Sequence, residues 1–171
     1  MLIGGSLSAY AQTAEPVGYR LDDYRSETPA TLRGARVIDA LDLHQLMLRE
    51  AVIVIDVLPQ PPRPQELPAT TYWRAPARYD IPGSIWLANV GYGRLSDEMD
   101  VYFRDALGKI SLGNKARKMV FYCDAQCWMS WNAAKRAMAY GYSGVHWFPG
   151  GVQEWIEAGY PTMLNAVIPA K

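Results

Sequence analysis

The sequence predicts an α/β domain with a central, mainly parallel β-sheet flanked by helices. Short runs of β-branched and aromatic residues alternate along the chain with helical patterns, which favours parallel strands joined by helices. The chain has 171 residues, which is the length of one domain with a full core. We expect strands near 52–56, 85–87, 118–122 and 145–148 to lie in one sheet.

Polar N-cap residues and C-terminal glycines mark four predicted helices. Asp39 and Ser96 stand before the first two helical patterns, and Gly141 and Gly159 follow the last two. The expected spans are 39–50, 97–109, 131–140 and 152–158.

Two segments lack a clear helix or strand pattern. Residues 12–35 are predicted to be an N-terminal lead-in that wraps the surface. Residues 58–82 contain seven prolines, which exclude a central strand or a helix interior. We expect a long, stiff loop there, anchored by the aromatic residues Tyr72, Trp73 and Tyr79. The predicted domain is therefore 36–165, with a proline-rich insertion at 58–82.

Charge and hydropathy exclude two classes of partner. Lysine plus arginine number 17, as do aspartate plus glutamate, and no stretch concentrates one sign. A nucleic-acid partner would require a basic face, so no nucleic-acid binding is expected. The chain also lacks a run of about 18 apolar residues, so no membrane span is expected.

The first residues predict export. Residues 1–11 carry no charge and end in Ala9-Tyr10-Ala11, the small-x-small pattern that signal peptidases cleave. We interpret 1–11 as the remnant of a signal peptide, although a basic n-region is missing. The expectation is a periplasmic protein cleaved after Ala11.

The two cysteines form the candidate reactive site. Cys123 and Cys127 are only four positions apart, so a disulfide between them would remove little chain entropy. This spacing favours chemistry over structural stabilisation. Cys123 also follows a predicted strand and precedes a helix, where backbone N–H groups and the helix dipole stabilise a thiolate or a persulfide. The alternative is a buried, inert cysteine at a strand end.

Several motifs resemble a rhodanese domain over about residues 36–162. They are a strand ending in Asp at 54–57, an Ile-Pro-Gly segment at 80–85, and the stretch 120–161 with its Cys123 loop. More narrowly, residues 123–136 look like the rhodanese-like proteins that are named for a Cys-Trp (CXXCW) motif. Those proteins are associated with pyrroloquinoline-quinone (PQQ)-dependent catabolism. The resemblance implies an exported protein linked to quinoprotein alcohol dehydrogenases and c-type cytochromes.

The sequence departs from the usual rhodanese pattern at three places. Leu58 stands after the strand Asp where an Arg is usual, Trp128 closes the loop where an Arg is usual, and the loop lacks its common Gly and gains Cys127. Thiosulfate is a dianion that sulfurtransferases bind with cationic groups. Because the loop contains no cation, we expect weak or no thiosulfate sulfurtransferase activity.

Four functions remain open from the sequence. The enzyme hypotheses are a rhodanese-like sulfurtransferase acting through a Cys123 persulfide and a dithiol/disulfide oxidoreductase. The others are a Cu(I)-binding module, with His146 as a further ligand, and a non-catalytic accessory protein for periplasmic quinoprotein or cytochrome c assembly. Expected partners are small sulfur species, a periplasmic thiol protein, a quinoprotein dehydrogenase or cytochrome c. No bound cofactor is expected, and no metal apart from the Cu(I) alternative.

The site hypothesis assigns a role to each loop residue. Cys123 is the expected nucleophile and Cys127 the resolving thiol, because a loop entering a helix brings Cα atoms of residues i and i+4 to roughly 6 Å. The predicted substrate contacts are Asp124, Ala125, Gln126, Trp128 and Met129. Of Trp128 and Trp131, one is expected to pack inward and the other to line the pocket mouth. Candidates outside the loop are Asp56, His146 and Glu154, for which structural roles are the alternative.

Overall fold

A five-stranded parallel β-sheet lies between two layers of helices. The computed structural model describes residues 13–169, so the predicted signal segment 1–11 lies outside the described part. In chain order the elements are β1 (Arg36–Val37), α1 (Ala40–Arg49), β2 (Ile53–Asp56), β3 (Arg78–Asp80), β4 (Ile85–Trp86), α2 (Asp97–Ile110), β5 (Met119–Tyr122), α3 (Trp128–Ala139), β6 (Val145–Trp147), α4 (Gly151–Glu157) and β7 (Met163–Asn165). The main sheet has the order β1-β6-β5-β2-β4, with every pairing parallel. The predicted α/β fold is confirmed.

The core has two parts, one on each face of the sheet. Every residue of β2 and β5 is buried, as expected for central parallel strands. Phe121 and Cys123 face α2 and α3, where Phe103 and Trp131 pack. Their neighbours Val120 and Tyr122 point to the opposite face, with α1 and α4. Because side chains alternate along a strand, the end of β5 places Cys123 on the α2/α3 side.

The helices α1 and α2 begin where their caps predict. The carboxylate of Asp39 accepts a hydrogen bond from the Asp42 N–H, and the hydroxyl of Ser96 accepts one from the Met99 N–H. At the other end of the fold, Gly141 and Gly159 follow α3 and α4 with φ values of +91° and +81°, the left-handed conformation expected of a glycine there.

Helix α3 begins three residues earlier than the sequence predicts, at Trp128 rather than Trp131. Its N-cap residue, Cys127, provides no side-chain cap hydrogen bond. The Trp128 N–H instead donates to the backbone oxygen of Tyr24 at 2.9 Å. A residue distant in sequence thus accepts a hydrogen bond from one of the free N–H groups at the helix N-terminus. The local sequence pattern does not reveal this partner, so the predicted start of α3 was too late.

The proline-rich segment 58–82 is not a continuous loop, and this corrects the expectation. Its end forms β3, which pairs antiparallel with β7 in a separate two-stranded sheet. Its expected aromatic anchors are also wrong in part, because Tyr72 and Tyr79 are exposed. The inward-pointing residues of β3 are Arg78 and Asp80 instead.

The segment 13–35 packs along α3. The side chain of Asn132 accepts a hydrogen bond from the Arg20 N–H and donates to the Arg20 carbonyl, both at 2.9 Å. The Lys135 ammonium donates to three consecutive carbonyls at residues 16–18. We call residues 20–26 the covering segment, because they lie over the start of α3. Among residues 13–169, no helix has the length and apolar character needed to cross a membrane.

Candidate functional site

The loop 123–127 joins the carboxyl end of β5 to the N-terminus of α3 and holds both cysteines of the chain. Cys123 is 0% exposed and Cys127 is 1% exposed. Both are free thiols. The loop therefore brings two reduced, buried sulfurs to the sheet edge where ligands of open α/β folds bind.

The sulfur of Cys123 faces two backbone carbonyl groups. Its Sγ lies 3.4 Å from the Cys127 oxygen and 3.6 Å from the Asp124 oxygen. A carbonyl oxygen accepts a hydrogen bond from a thiol and repels a thiolate. Burial raises the pKa of Cys123 well above its usual value, and the favourable contacts from Ser130 do not offset that cost. Burial and the neighbouring Cys127 therefore favour the protonated form of the Cys123 thiol.

The pKa of Cys127 shifts in the opposite direction. Its pKa is lowered to about 7, first by a hydrogen bond from the Cys123 thiol and further by the Met129 N–H and the charge of Arg25. Burial and the charge of Asp124 oppose this shift. Cys127 is the N-cap residue of α3, where the helix dipole also favours an anion. Close to neutral pH, Cys127 is the thiol that ionises.

Two arginines from distant parts of the chain reach the loop through Asp124. Arg25 Nη1 lies 2.8 Å from Asp124 Oδ2, and Arg78 Nη2 lies 3.3 Å from Asp124 Oδ1. The loop itself has no cation, as the sequence indicates, but the folded site has two guanidinium groups beside it. Sequence reasoning missed both residues. Arg25 gives no sequence signal, and Arg78 is marked only by its position two residues before Asp80 and the Ile-Pro-Gly segment.

Arg78 also pairs with the aspartate at the end of β2. Its Nη1 lies 2.8 Å from Asp56 Oδ2, and the other Asp56 oxygen accepts the Leu58 N–H at 2.8 Å. Burial, followed by the charge of Asp80, raises the pKa of Asp56, while Arg78 opposes the shift. Leu58 occupies the position at which a rhodanese usually has Arg, and here a guanidinium from β3 meets the strand Asp instead.

Asp80 continues this polar network below the loop. The Tyr122 hydroxyl donates to Asp80 Oδ1 at 2.5 Å, and the Asn165 amide donates to Asp80 Oδ2 at 3.3 Å. Tyr122 directly precedes Cys123, so the network fixes the residue from which the cysteine loop leaves the sheet.

The predicted substrate contacts have very different surroundings. The Ala125 N–H donates to Gln153 Oε1 at 2.8 Å, outside the loop. Gln126 is exposed, with a φ of +50°. Trp128 and Met129 are buried in the core, while Asp124 is held by its two arginines. Substrate binding by these five residues stays a prediction.

The expectation of one inward and one outward tryptophan is wrong. Trp128 and Trp131 are both buried, with ring centroids 5.3 Å apart in an edge-to-face arrangement. The Trp128 indole N–H donates to the Ser26 hydroxyl at 3.1 Å. The covering segment therefore seals Trp128, because it bonds both the backbone and the ring of this residue.

The remaining candidates lie away from the cysteines. His146 pairs in register with Val120, so it points to the sheet face opposite to Cys123. Glu154 accepts the Ala40 N–H at the start of α1, which is a structural role. Within residues 13–169, no cluster of three or more His, Cys, Asp or Glu side chains is suited to hold a metal ion.

A parallel sheet with a cysteine loop at the end of a central strand defines the class of this protein. The family model described as "Rhodanese-like domain" matches residues 39–158, so the chain belongs to the rhodanese-like family. No curated protein was found to match the chain.

Solved structures share the fold at low sequence identity. A variant of EanB in complex with hercynine has a TM-score of 0.54 and 20% identity, over 83% of this chain and 34% of EanB. The BH2092 protein from Bacillus halodurans has a TM-score of 0.50 and 20% identity, over 75% of this chain and 77% of that protein. A Rhodopseudomonas palustris protein described as of unknown function and a possible tyrosine phosphatase has a TM-score of 0.50 and 23% identity, over 75% and 85% of the two chains.

Proposed function

We propose that this rhodanese-like protein is a dithiol/disulfide oxidoreductase that uses Cys123 and Cys127. One observation carries the proposal: two free, buried thiols share the short loop that joins β5 to α3. The pKa of Cys127 is lowered to about 7 while burial raises that of Cys123, which favours one thiolate beside one thiol near neutral pH. Such a pair can reduce a substrate disulfide and close into a disulfide itself.

Sulfur transfer is the second candidate, supported by membership of the rhodanese-like family. A persulfide on Cys123 would place its sulfane sulfur next to Cys127. Cys127 would attack Cys123 and expel sulfide, and the facing carbonyl oxygens would repel a persulfide anion on Cys123. Both features favour disulfide exchange over a lasting persulfide.

The test uses the wild-type protein in glutathione buffers of graded redox potential. After equilibration, free thiols are blocked with a maleimide and the intact mass is measured. The expected result is one cooperative transition between a doubly labelled and an unlabelled chain. A product that carries an added sulfur atom after incubation with thiosulfate would favour sulfur transfer instead. Retention of both thiols in the most oxidising buffer would overturn the oxidoreductase proposal.

Thiosulfate:cyanide sulfurtransferase activity is expected to be weak. Both guanidinium groups near the loop are engaged by Asp124, and Arg78 is engaged by Asp56 as well. A thiosulfate dianion would have to displace these carboxylates. Thiocyanate formation at the rates of ordinary rhodaneses would contradict this expectation.

We further propose that the protein works in the periplasm beside a PQQ-dependent alcohol oxidation system. The support is the small-x-small motif at Ala9-Tyr10-Ala11 and the resemblance of residues 123–136 to the Cys-Trp proteins of PQQ-dependent catabolism. Partners in that setting are a periplasmic thiol protein, a quinoprotein dehydrogenase or cytochrome c. N-terminal sequencing of the native protein tests cleavage after Ala11, and growth of a deletion strain on alcohols tests the link.

Cu(I) binding with His146 as a ligand gains no support, because His146 points away from the cysteine loop across the sheet.

A further inference from the structure

We propose that Cys127 makes the first attack on a disulfide substrate and that Cys123 is the resolving thiol. This inference rests on the proposed oxidoreductase function, and it reverses the roles expected from the sequence. Its chemical consequence is that the mixed disulfide with the substrate forms at the start of α3, not at the end of β5.

The Cys123 sulfur is oriented towards hydrogen-bond acceptors. It faces the carbonyl oxygens of Cys127 and Asp124 at 3.4 and 3.6 Å, and the whole residue lies inside the core. The thiol has one hydrogen, which it can direct to either carbonyl or to the Cys127 sulfur. In each case Cys123 is the donor, so it keeps its proton while Cys127 reacts.

Cys127 lies where two positive electrostatic contributions meet. It is the N-cap residue of the 12-residue helix α3, and the guanidinium group of Arg25 lies near it. The helix N-terminus and the arginine both favour a negative sulfur at this position. The lowering of the Cys127 pKa to about 7 agrees with this arrangement.

The electron count follows a standard exchange. The Cys127 thiolate attacks one sulfur of the substrate disulfide, whose S–S bond breaks, and the released thiolate takes up a proton. Cys123 then attacks the Cys127 sulfur of the mixed disulfide, the bond between Cys127 and the substrate breaks, and the proton of Cys123 passes to the second substrate thiolate as it leaves. The substrate disulfide gains two electrons and two protons, and the protein dithiol becomes a disulfide.

Access to Cys127 requires the covering segment to move. Tyr24 and Ser26 both bond Trp128, the residue that follows Cys127. Arg25 lies between them, and its side chain is 57% exposed where it pairs with Asp124. The solvent side of this ion pair is therefore the nearest approach for a substrate disulfide.

The experiment compares two single-cysteine variants, Cys123→Ser and Cys127→Ser, with wild type. The probe is the aromatic disulfide 5,5′-dithiobis(2-nitrobenzoate) at pH 7. We expect Cys123→Ser to react about tenfold faster than Cys127→Ser and to keep the mixed disulfide. Serine at 123 still offers a hydrogen to the same acceptors. Wild type should release a second equivalent of thiol as its internal disulfide closes.

The outcomes separate the two proposals. Equal rates, or a faster reaction of Cys127→Ser, would overturn the assignment of Cys127 as the attacking thiol. If wild type still closes its disulfide in that case, the proposed oxidoreductase function is retained. Failure of wild type to close its disulfide overturns the proposed function and the inference with it.

If the cysteine variants do not fold, a measurement on the wild-type protein tests the same assignment. A brief pulse of iodoacetamide is followed by digestion and fragmentation of the peptide 119–135, which holds both cysteines. The first label should appear on Cys127. A first label on Cys123 would overturn the inference.

Discussion

At the residue scale, the charges around Asp124 divide into a buried half and an exposed half. Arg78 is 16% exposed and shares its guanidinium between Asp124 and the fully buried Asp56. Arg25 contacts the same Asp124 from a side that is 57% exposed. Two arginines thus bind one carboxylate in very different solvent environments, and their contributions to the free energy of unfolding should differ accordingly.

Replacing Arg78 by Ala should destabilise the protein by about 3 kcal/mol, because it leaves the buried Asp56 carboxylate without its partner. The matched change Arg25→Ala removes an exposed ion pair and should cost less than about 1 kcal/mol. Urea unfolding monitored by tryptophan fluorescence measures both. Equal losses for the two variants would contradict the distinction between buried and exposed pairs.

The reactivity of Cys127 should follow its lowered pKa. A thiolate is the reactive form, so the alkylation rate rises with pH up to the pKa and then levels off. For Cys127 the plateau is expected above about pH 7, whereas the alkylation rate of an ordinary thiol would continue to rise up to its usual pKa of 9.0. The measurement is the iodoacetamide rate against pH in Cys123→Ser. A midpoint near 9.0 would show that the environment of Cys127 does not favour its anion.

At the scale of elements, the start of α4 presses directly on the cysteine loop. Gly151 has a φ of +59°, and a Cβ atom there would lie 2.4 Å from the backbone oxygen of Cys123 and 2.5 Å from the carbonyl carbon of Asp124. The Val152 N–H also donates to the Cys123 oxygen at 3.0 Å. Helix α4 therefore helps to set the path of the loop.

Two glycine substitutions separate this contact from backbone strain alone. Gly159 also has a positive φ, but a Cβ there would meet nothing within 4 Å. Gly159→Ala should cost about 1 kcal/mol from left-handed strain, and Gly151→Ala about 3 kcal/mol because it also displaces the loop. Thermal unfolding measures the stability, and the Cys127 alkylation rate should change only in Gly151→Ala. An unchanged Cys127 alkylation rate in both variants would show that α4 does not set the path of the cysteine loop.

The predictability of each strand depended on the apolar pattern of its own residues. The buried runs that form β2 and β5 carry their pattern within a few residues, and they were predicted in the correct sheet. The strands β1, β3 and β7 have two or three residues each and carry no apolar run that marks them. The strands β4 and β6 are equally short, but they were predicted from the apolar runs at 85–87 and 145–148. The cysteine loop was predicted from its own residues.

The charges around the loop were not predictable in the same way. Arg25 lies 99 positions from Asp124, and Arg78 lies 46 positions from it. Neither arginine belongs to a motif, so only the folded chain shows that they converge. The same limit applies to the roles of the two cysteines, because carbonyl orientation decides which sulfur holds the proton.

At the scale of the whole molecule, Asn132 and Lys135 of α3 hold the N-terminal segment, in addition to the hydrogen bonds between Trp128 and residues 24 and 26. Asn132 bonds Arg20 through both backbone groups and also donates to the Gly91 carbonyl at 3.0 Å. Lys135 bonds the carbonyls of residues 16–18, further from the cysteines. The Asn132–Arg20 contact therefore lies nearer to the cysteine loop than the contacts of Lys135.

Asn132→Ala should loosen the covering segment and raise the alkylation rate of Cys127 several-fold, because its amide holds both backbone groups of Arg20, where that segment begins. Lys135→Ala should loosen only residues 16–18 and leave the cysteine rate near that of wild type. Hydrogen exchange of the backbone amides at 16–26, read beside the alkylation rate, measures both effects. Unchanged exchange at residues 20–26 in Asn132→Ala would contradict this role.

The pairing of β3 with β7 has a consequence for the order of folding. The Asp80–Asn165 contact joins residues 85 positions apart, and the Arg20–Asn132 contact joins residues 112 positions apart. The β5–β6 pairing closes a much shorter loop, because Met119 and Val145 are 26 positions apart, so its entropy cost of closure is smaller. The unit β5–α3–β6, which contains both cysteines, can therefore assemble while Arg78 is still unplaced and the covering segment is still open. During that interval both cysteines lack their cover, and an oxidant present during folding would find them before the finished protein shields them.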